Sequence, residues 1–240
     1  MRRARTPFCG LVAALAFVLA TPVLSEPVVR AADYDAYWLW AGVRARPEVD
    51  AARTVYLMQG EIAPDREGRV RLMARGGVDP GAHRQALWIV YRARSLDWPD
   101  DVVAGVVRRL EAWRAAPGRT VGVQVDFDAS TRGLANYATF LRGLRRALPE
   151  GCALSVTGLM DWASQGEPED LDALKGAVDE VVFQTYRGSE TVRDIDAYLE
   201  RLRRVRIPFR LGLVEGGAWS QSADLASNPL FKGYVVFLRN

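Results

Sequence analysis

Short apolar runs recur along the sequence at fairly even spacing, and there are eight of them. Several are nearly continuous in Val, Leu, Ile and aromatic residues, which is typical of strands buried on both faces. The runs are Ala36–Ala41, Thr54–Gln59, Ala86–Tyr91, Thr120–Asp128, Ala153–Leu159, Val178–Tyr186, Phe209–Val214 and Tyr234–Leu238. Strands of this kind occur mainly in parallel sheets covered by helices, so the pattern favours the α/β class.

Amphipathic helical patterns lie between the later runs. Apolar residues repeat at three- and four-residue spacing over 103–113, 134–148 and 195–205, and the first pattern follows an N-cap candidate, Asp97, and Pro99. Alternation of strands and helices indicates a parallel sheet, and eight strands favour a closed (β/α)₈ TIM-like barrel over a doubly wound open sheet. No helical pattern follows the eighth run, so we expect the barrel to lack its final helix.

The segment between the second and third runs departs from this alternation. Residues 60–82 are rich in Gly, Pro and Asp and show no clear helical period. Within them, Arg69–Arg75 has the composition of a short strand, which predicts a hairpin inserted after the second strand.

The N-terminus has the pattern of a secretory signal peptide, predicted over residues 1–25. Arg2, Arg3 and Arg5 precede an apolar stretch from Phe8 to Ala20, which is too short for a typical membrane span. Small residues suitable for cleavage occur at Val23–Ser25 and again at Val29–Ala31. We therefore expect export to the periplasm or the extracellular space, with a retained membrane anchor as the alternative.

Composition supports a single barrel domain over residues 33–240. The leader holds three arginines and no acidic residue, so the formal charge of +3 leaves with it and no nucleic-acid partner is expected. Only Cys152 remains once Cys9 is removed, and so no intramolecular disulfide is available. The hydrophobic core must stabilise the fold by itself.

Two carboxylates, Asp126 and Asp128, end the fourth run and lie within the segment Gly122–Ser130. Side chains alternate along a strand, so Gln124, Asp126 and Asp128 share one face, with the two aspartates about 6.5–7 Å apart at their Cα atoms. Catalytic groups of (β/α)₈ barrels lie at the carboxyl ends of the strands. Two like charges in a partly buried cleft raise at least one pKa, which keeps a carboxyl protonated as a general acid.

Other polar or aromatic side chains follow the predicted strands at the same end of the barrel. The candidates for substrate binding are Gln124, Glu61, Arg92, Gln184, Trp162, Glu215 and Trp219, with Asp126, Asp128 and Tyr186 as catalytic candidates. Trp40 and Trp98 also lie near strand ends, where flat rings can stack on sugars. His83 and Cys152 precede strands and are interpreted as structural residues at the opposite end.

Two other interpretations of the aspartate pair remain open. Asp128 can serve as a hydrogen-bond acceptor that orders the loop Ala129–Arg132, which would be a structural role. An Asp-x-Asp sequence can also coordinate a divalent metal, which would favour a metal-dependent hydrolase. The leading hypothesis has neither a metal nor a cofactor.

The segments Gly122–Asp128 and Phe183–Arg187 resemble motifs of family 18 glycoside hydrolases, which include chitinases. The first resembles the acidic signature of the fourth strand, and the second resembles a Met-x-Tyr-Asp segment with Tyr186 at the tyrosine position. Most of residues 33–240 is also similar to an uncharacterised bacterial family of exported, glycosidase-like barrels. The resemblance implies a barrel with a sugar-binding cleft and a polysaccharide or oligosaccharide partner.

If the family mechanism applies, the resemblance also implies residue roles. The N-acetyl oxygen of the substrate would attack the anomeric carbon, Asp126 would orient that amide, Asp128 would protonate the leaving oxygen, and Tyr186 would hydrogen-bond the acetamido group. The sequence departs from the family where Gln124 replaces an Asp, Asp128 replaces the acid Glu, and Arg187 replaces the Asp after the tyrosine. Two hypotheses follow: a hydrolase of N-acetylated polysaccharides, or a binding or assembly protein that has lost the acid.

Overall fold

A computed structural model describes residues 27–42, 46–75, 83–162, 171–220 and 223–239. The predicted signal peptide lies outside these residues. None of the helices in the described ranges combines the length and the apolar character that are needed to cross a membrane.

Eight parallel strands form a closed barrel, which confirms the (β/α)₈ prediction. The first strand pairs with the last as well as with the second, so that Tyr37 lies opposite Val236 and Val55. In chain order the strands are β1 (Ala36–Leu39), β2 (Thr54–Pro64), β3 (Val70–Ala74), β4 (His83–Ala93), β5 (Gly118–Asp126), β6 (Ala153–Leu159), β7 (Glu180–Gln184), β8 (Tyr186–Arg187), β9 (Glu190–Thr191), β10 (Phe209–Val214) and β11 (Phe231–Phe237). All strands except β3, β8 and β9 belong to the barrel.

Strand β3 forms the predicted hairpin. It runs antiparallel to the extended end of β2, with Glu61 opposite Met73. Strands β8 and β9 form a second, separate two-stranded hairpin after β7. That second hairpin is not evident in the sequence, where Val178–Tyr186 reads as one continuous strand.

Among the described residues, helices lie between the strands as α1 (Pro47–Asp50), α2 (Asp100–Ala115), α3 (Leu134–Ala147), α4 (Ile195–Leu202) and α5 (Ala223–Ala226). The apolar periodicity predicts α2, α3 and α4, whereas it does not predict the two short helices α1 and α5. In α2 the buried residues are Val102, Val106, Leu110 and Trp113, which form one face at helical spacing. The residue before the first turn of α2 is Pro99 rather than Asp97.

The segment Pro27–Tyr34 packs against the outside of the barrel next to β1 and β11. Val29 is buried, and its amide donates to the carbonyl oxygen of Gly217 over 2.9 Å. The Tyr37 hydroxyl donates to the carbonyl oxygen of Ala31 over 2.8 Å. This segment, in which Ala31–Asp33 forms a short 3-10 helix, therefore covers apolar surface of β1.

The barrel interior has its own hydrophobic cluster, separate from the layer between strands and helices. Alternate residues of the strands supply it, and aromatic rings fill much of the space. Trp38 stacks on Phe237 with ring centroids 5.0 Å apart, and Tyr56 stacks on Trp88 at 5.8 Å. Aromatic rings therefore fill the barrel interior, and a ligand cleft can form only at an end of the barrel.

Candidate functional site

An open cleft of about 850 Å³ lies at the carboxyl ends of the strands. It is lined by Trp40, Arg92, Asp128, Leu159, Met160, Asp161, Gln184, Tyr186, Arg187, Gly188, Glu190, Thr191, Val192, Arg193, Asp194 and Tyr198. Some of these residues lie at the carboxyl ends of β4, β6 and β7 or directly after β1, β5 and β6. The others belong to the β8–β9 hairpin, to α4 or to the residues that connect these elements. The cleft therefore occupies the end of the barrel where the chemistry of this fold is found.

Asp126 is the last residue of β5 and its side chain is completely buried at the base of this region. Its Oδ1 accepts a hydrogen bond from the Thr157 hydroxyl over 2.7 Å. Its Oδ2 accepts a hydrogen bond from Nη1 of Arg92 over 2.9 Å. Both oxygens are therefore engaged, and the carboxylate is held in one orientation.

Asp128 lies beyond the end of β5, two residues after the last strand position. Its side chain is 52% exposed and contacts the guanidinium of Arg92 through both oxygens, Oδ1 at 3.4 Å from Nη1 and Oδ2 against Nη2. The predicted strand Thr120–Asp128 is thus too long by two residues at this end. Asp126 and Asp128 do not share a strand face, and Arg92 brings them together instead.

The pKa of Asp126 is raised, as predicted for one member of the pair, but the cause differs. Burial is the largest cause, and the Arg92 guanidinium and the Thr157 hydroxyl oppose it, whereas repulsion from Asp128 adds the least. Arg92, expected to bind substrate, is itself only 14% exposed and has a raised pKa despite burial, because both aspartates lie beside it. The mouth therefore contains an ion-paired triad of Asp126, Arg92 and Asp128.

Gln124 lies deeper in the barrel than expected for a substrate-binding residue. It is fully buried, accepts a hydrogen bond from Nε1 of Trp38 over 2.7 Å, and donates to Oγ of Ser155 over 2.9 Å. The hydrogen bonds of the Gln124 side-chain amide are thus made to residues of the barrel core. This corrects the assignment of Gln124 to the binding site, since it orders the barrel interior.

The same interior chain of hydrogen bonds continues to Glu180, a residue that sequence reasoning missed. Glu180 accepts from the hydroxyl of Tyr56 over 2.6 Å and pairs with Nε of Arg210 at 2.9 Å. Glu180 begins β7 and Arg210 is the second residue of β10, so the pair lies away from the cleft. The sequence does indicate this pair, because Glu180 and Arg210 are charged residues within two neighbouring runs that are otherwise mainly apolar.

Tyr186 and Gln184 both line the cleft, as predicted, together with Arg92 and Asp128. Tyr186 belongs to β8 rather than to a barrel strand, and its ring contacts Phe237 of the barrel interior with centroids 5.1 Å apart. Burial raises the pKa of the Tyr186 hydroxyl well above its usual value, and the nearby Asp126 carboxylate adds to the rise. The structure therefore brings the tyrosine and the aspartate pair to one mouth.

Glu61 and Glu215 are held in ion pairs instead of projecting freely as binding groups. Glu61 pairs with Nε of Arg94 at 2.8 Å on the β2–β3 hairpin. Glu215 pairs with Nη1 of Arg46 at 2.6 Å and accepts from the backbone amide of Arg239 at 3.1 Å. Burial works to raise the pKa of Glu215, but the Arg46 hydrogen bond and the Arg239 amide outweigh it and hold that pKa below its usual value.

The two tryptophans chosen as sugar-stacking candidates lie in the hydrophobic core, which corrects both assignments. Trp162 is completely buried and its Nε1 donates to the carbonyl oxygen of Ala129 over 2.8 Å. Trp219 is buried edge-on against Tyr234, with ring centroids 5.8 Å apart. Trp40 is the residue that meets the requirement, because it lines the cleft and is 39% exposed.

The burial of Trp162 depends on the absence of a side chain at Gly158. A Cβ atom at Gly158 would lie 2.8 Å from Cγ1 of Val181 and 2.9 Å from Cζ3 of Trp162. We expect Gly158→Ala to lower the free energy of unfolding by about 1–3 kcal/mol through overpacking. Denaturant unfolding measures this, with Gly42→Ala for comparison because a Cβ there meets no atom within 4 Å. Because Gly42 has a φ of +88°, its variant reports backbone strain without a clash.

His83 and Cys152 both lie at the amino ends of barrel strands, opposite the cleft, as predicted. His83 is the first residue of β4, and Cys152 precedes β6. The Cys152 thiol is buried and accepts a hydrogen bond from Nη1 of Arg114 at 3.1 Å. Burial raises the pKa of this thiol, against the opposing effect of Arg114, which disfavours a reactive thiolate.

The alternative of a metal-dependent hydrolase gains no support from the geometry of the aspartate pair. The guanidinium of Arg92 contacts both carboxylates, so a divalent cation shared by them would have to displace or adjoin a fixed positive charge. Across the described ranges, no three or more His, Cys, Asp and Glu residues cluster closely enough to hold a metal ion.

Comparison with known proteins identifies similar folds but no close relative. The model of a domain of unknown function, DUF3142, matches residues 95–197. No curated protein matches the chain.

The solved structures that are similar to the chain include two inhibitor proteins and a chitinase domain. The xylanase and α-amylase inhibitor protein XAIP-II from Scadoxus multiflorus is 10% identical, with a TM-score of 0.55 over 84% of this chain and 91% of that chain. The related inhibitor XAIP-I, solved in complex with trehalose, is also 10% identical, with a TM-score of 0.52 over 84% and 91% of the two chains. The chitinase domain of the spore coat protein CotE from Clostridium difficile is 13% identical, with a TM-score of 0.47 over 87% and 71%. The likeness to the two inhibitor proteins shows a shared barrel fold.

Proposed function

We propose that this chain is an exported carbohydrate-binding protein whose cleft takes an oligosaccharide with N-acetylated sugars and does not cleave it. Of the two hypotheses from the sequence, this is the binding protein that has lost its acid. One observation carries the choice: the Arg92 guanidinium contacts both carboxylates of the candidate catalytic pair.

Cleavage of a glycosidic bond by two carboxyl groups requires one of them to donate a proton to the leaving oxygen. Asp128 occupies the position of the acid in the family that the sequence resembles. Its carboxylate contacts Arg92 through both oxygens and is half exposed to water. Both oxygens are directed at Arg92, so the carboxyl group is not turned toward a leaving oxygen in the cleft.

Asp126 is equally unsuited to contact a sugar. Its side chain has no exposed surface, and its two oxygens accept from Thr157 and Arg92. A group that orients a substrate amide must reach that amide with a free hydrogen-bonding site. The geometry of Asp126 therefore supports a role in positioning Arg92.

The cleft retains features that suit carbohydrate binding. Trp40 presents an aromatic ring at one wall and Tyr198 lines the same cleft, and such rings stack on the apolar faces of sugars. The side-chain amide of Gln184 and the hydroxyl of Tyr186 have no hydrogen-bond partner among the residues that the structure describes. They are available to sugar hydroxyl or acetamido groups. That XAIP-I has been solved with trehalose supports sugar binding by a barrel of this fold.

A glycan array with the chain from Pro27 onward tests the proposal, followed by titration and product analysis of each glycan bound. We expect saturable binding of oligosaccharides that contain N-acetylated sugars, without new reducing ends. Release of shorter products would show a hydrolase and overturn the binding-only proposal. An array with no saturable binding would overturn the carbohydrate assignment itself.

Trp40→Ala provides a direct test of the stacking wall. Loss of the ring should weaken binding of a glycan found on the array about tenfold, as expected for about 1.4 kcal/mol of stacking and contact energy. The melting temperature should fall as well, because the Trp40 ring also contacts the ring of Trp38 with centroids 4.4 Å apart, so binding is compared at a temperature at which the variant is folded. Isothermal titration measures the affinity. Val28→Ala is the matched control, since Val28 is an exposed apolar residue away from the cleft, and equal losses in both variants would contradict the assignment.

A further inference from the structure

The buried carboxylate of Asp126 fixes the position of Arg92 at the base of the cleft. Nη1 of Arg92 lies 2.9 Å from Oδ2 of Asp126, and that carboxylate is in turn fixed by the Thr157 hydroxyl at 2.7 Å. The guanidinium lines the cleft. Because the contact with Asp126 fixes the guanidinium, the other N–H groups of Arg92 keep a constant position toward the cleft.

Asp128, the outer partner of Arg92, differs from Asp126, the inner partner, in its position and in its exposure. Asp128 comes from the loop after β5 and is half exposed, whereas Asp126 has no exposure. Its two oxygens face Nη1 and Nη2 of Arg92, which is the fork-to-fork contact that guanidinium groups make with carboxylates. Arg92 keeps its buried contact with Asp126 when Asp128 leaves, and the half-exposed Asp128 carboxylate regains water, so another carboxylate can take its place at little cost.

We propose that Asp128 occupies the place of a ligand carboxylate, and that Arg92 binds the carboxylate of an acidic sugar residue once Asp128 moves aside. The cleft then selects N-acetylated glycans that also carry carboxylates over neutral ones. This inference rests on the proposed function, because it names the ligand class of the same cleft. Asp128 acts as an internal competitor in this arrangement.

Net charge does not account for such a preference. The residues that line the cleft include three arginines, Arg92, Arg187 and Arg193, and four acids, Asp128, Asp161, Glu190 and Asp194. Selection must therefore come from the position and geometry of Arg92. Arg187 and Arg193 lie on the β8–β9 hairpin and just after it, among Glu190 and Asp194, so their charges are offset locally.

A pair of probes that differ only in their carboxylates tests the inference. The first is a hyaluronan tetrasaccharide, in which N-acetylglucosamine alternates with glucuronate, and the second is the same tetrasaccharide after reduction of its carboxyl groups to alcohols. We expect the wild-type chain to bind the first about tenfold more tightly in isothermal titration. If both bind equally, the carboxylate inference fails while the carbohydrate assignment stands. If neither binds, and no N-acetylated glycan binds on the array, the proposed function fails as well.

Asp128→Asn tests whether the preference for a carboxylate comes from Arg92 or from the total charge of the cleft. Removal of the competing charge should tighten binding of the hyaluronan tetrasaccharide about three- to tenfold and leave the reduced probe within about twofold. Glu190→Gln is the matched control, because it removes the same charge from an exposed residue of the β8–β9 hairpin that lines the same cleft. An equal gain in both variants, or weaker binding by Asp128→Asn, would overturn the inference.

Discussion

Arg92→Met is expected to lower the free energy of unfolding by about 3–5 kcal/mol, because it leaves the buried carboxylate of Asp126 without its cation. For a chain of this length the melting temperature should fall by roughly 6–20 °C. The loss should be smaller at lower pH, since burial already raises the pKa of Asp126 and a protonated carboxyl needs no counterion. Thermal melts across a pH series measure both effects.

Two further variants make this prediction specific to the triad. Arg92→Met combined with Asp126→Asn should recover most of the loss, because a neutral amide can keep the hydrogen bond from Thr157 without a charge. Arg94→Met is the surface control, since the Arg94–Glu61 pair has an arginine that is 57% exposed and should contribute about 0–1 kcal/mol. Equal losses in the two single variants would contradict a buried, structurally important pair at Arg92.

A chain that begins at Asp33 is expected to be less stable than one that begins at Pro27 by about 3 kcal/mol, or roughly 6–12 °C in melting temperature. The shorter chain loses the buried Val29 side chain and the acceptor that Ala31 provides for the Tyr37 hydroxyl. It also leaves the carbonyl oxygen of Gly217 without its donor. Parallel thermal melts of the two chains measure the difference, and equal melting temperatures would show that the segment contributes nothing.

The packing of residues 27–32 against the barrel bears on where the predicted signal peptide is cleaved. The sequence leaves two sites open, at Val23–Ser25 and at Val29–Ala31. Cleavage after Ala31 would remove residues that pack against the barrel, whereas cleavage after Ser25 would keep them. We therefore propose that the mature chain begins at Glu26, which N-terminal sequencing of the exported protein checks.

The barrel itself was predictable because its signals are local. Strands buried on both faces produce continuous apolar runs, and the helices between them show a three- to four-residue period. Asp126 at the carboxyl end of β5 follows from alternation along that strand. The hairpin at Val70–Ala74 was predictable for the same reason, since turn residues flank a short apolar strand.

The site was predictable only in outline, because the rest depends on contacts between distant residues. Nothing in the spacing of Asp126 and Asp128 shows that Arg92 lies between them, or that one is buried and the other exposed. The direction of a ring after a strand end is likewise set by packing, which is why Trp162 is core and Trp40 lines the cleft. Periodicity also gave no sign that Tyr186 leaves the barrel sheet for a hairpin.

Closure of the barrel through β1 and β11 has a consequence for how the chain folds. Strand β1 finds one of its two neighbours only when residues 231–237 are present, because Trp38 lies opposite Phe237 and stacks on its ring. Contacts between residues so far apart in sequence form late, since the entropy of closing the intervening loop must be overcome first. Before β11 pairs with β1, the earlier strands and helices can pair in order while one edge of the sheet stays open. An open strand edge can pair with another chain, so the last strand removes a site of aggregation when it closes the barrel.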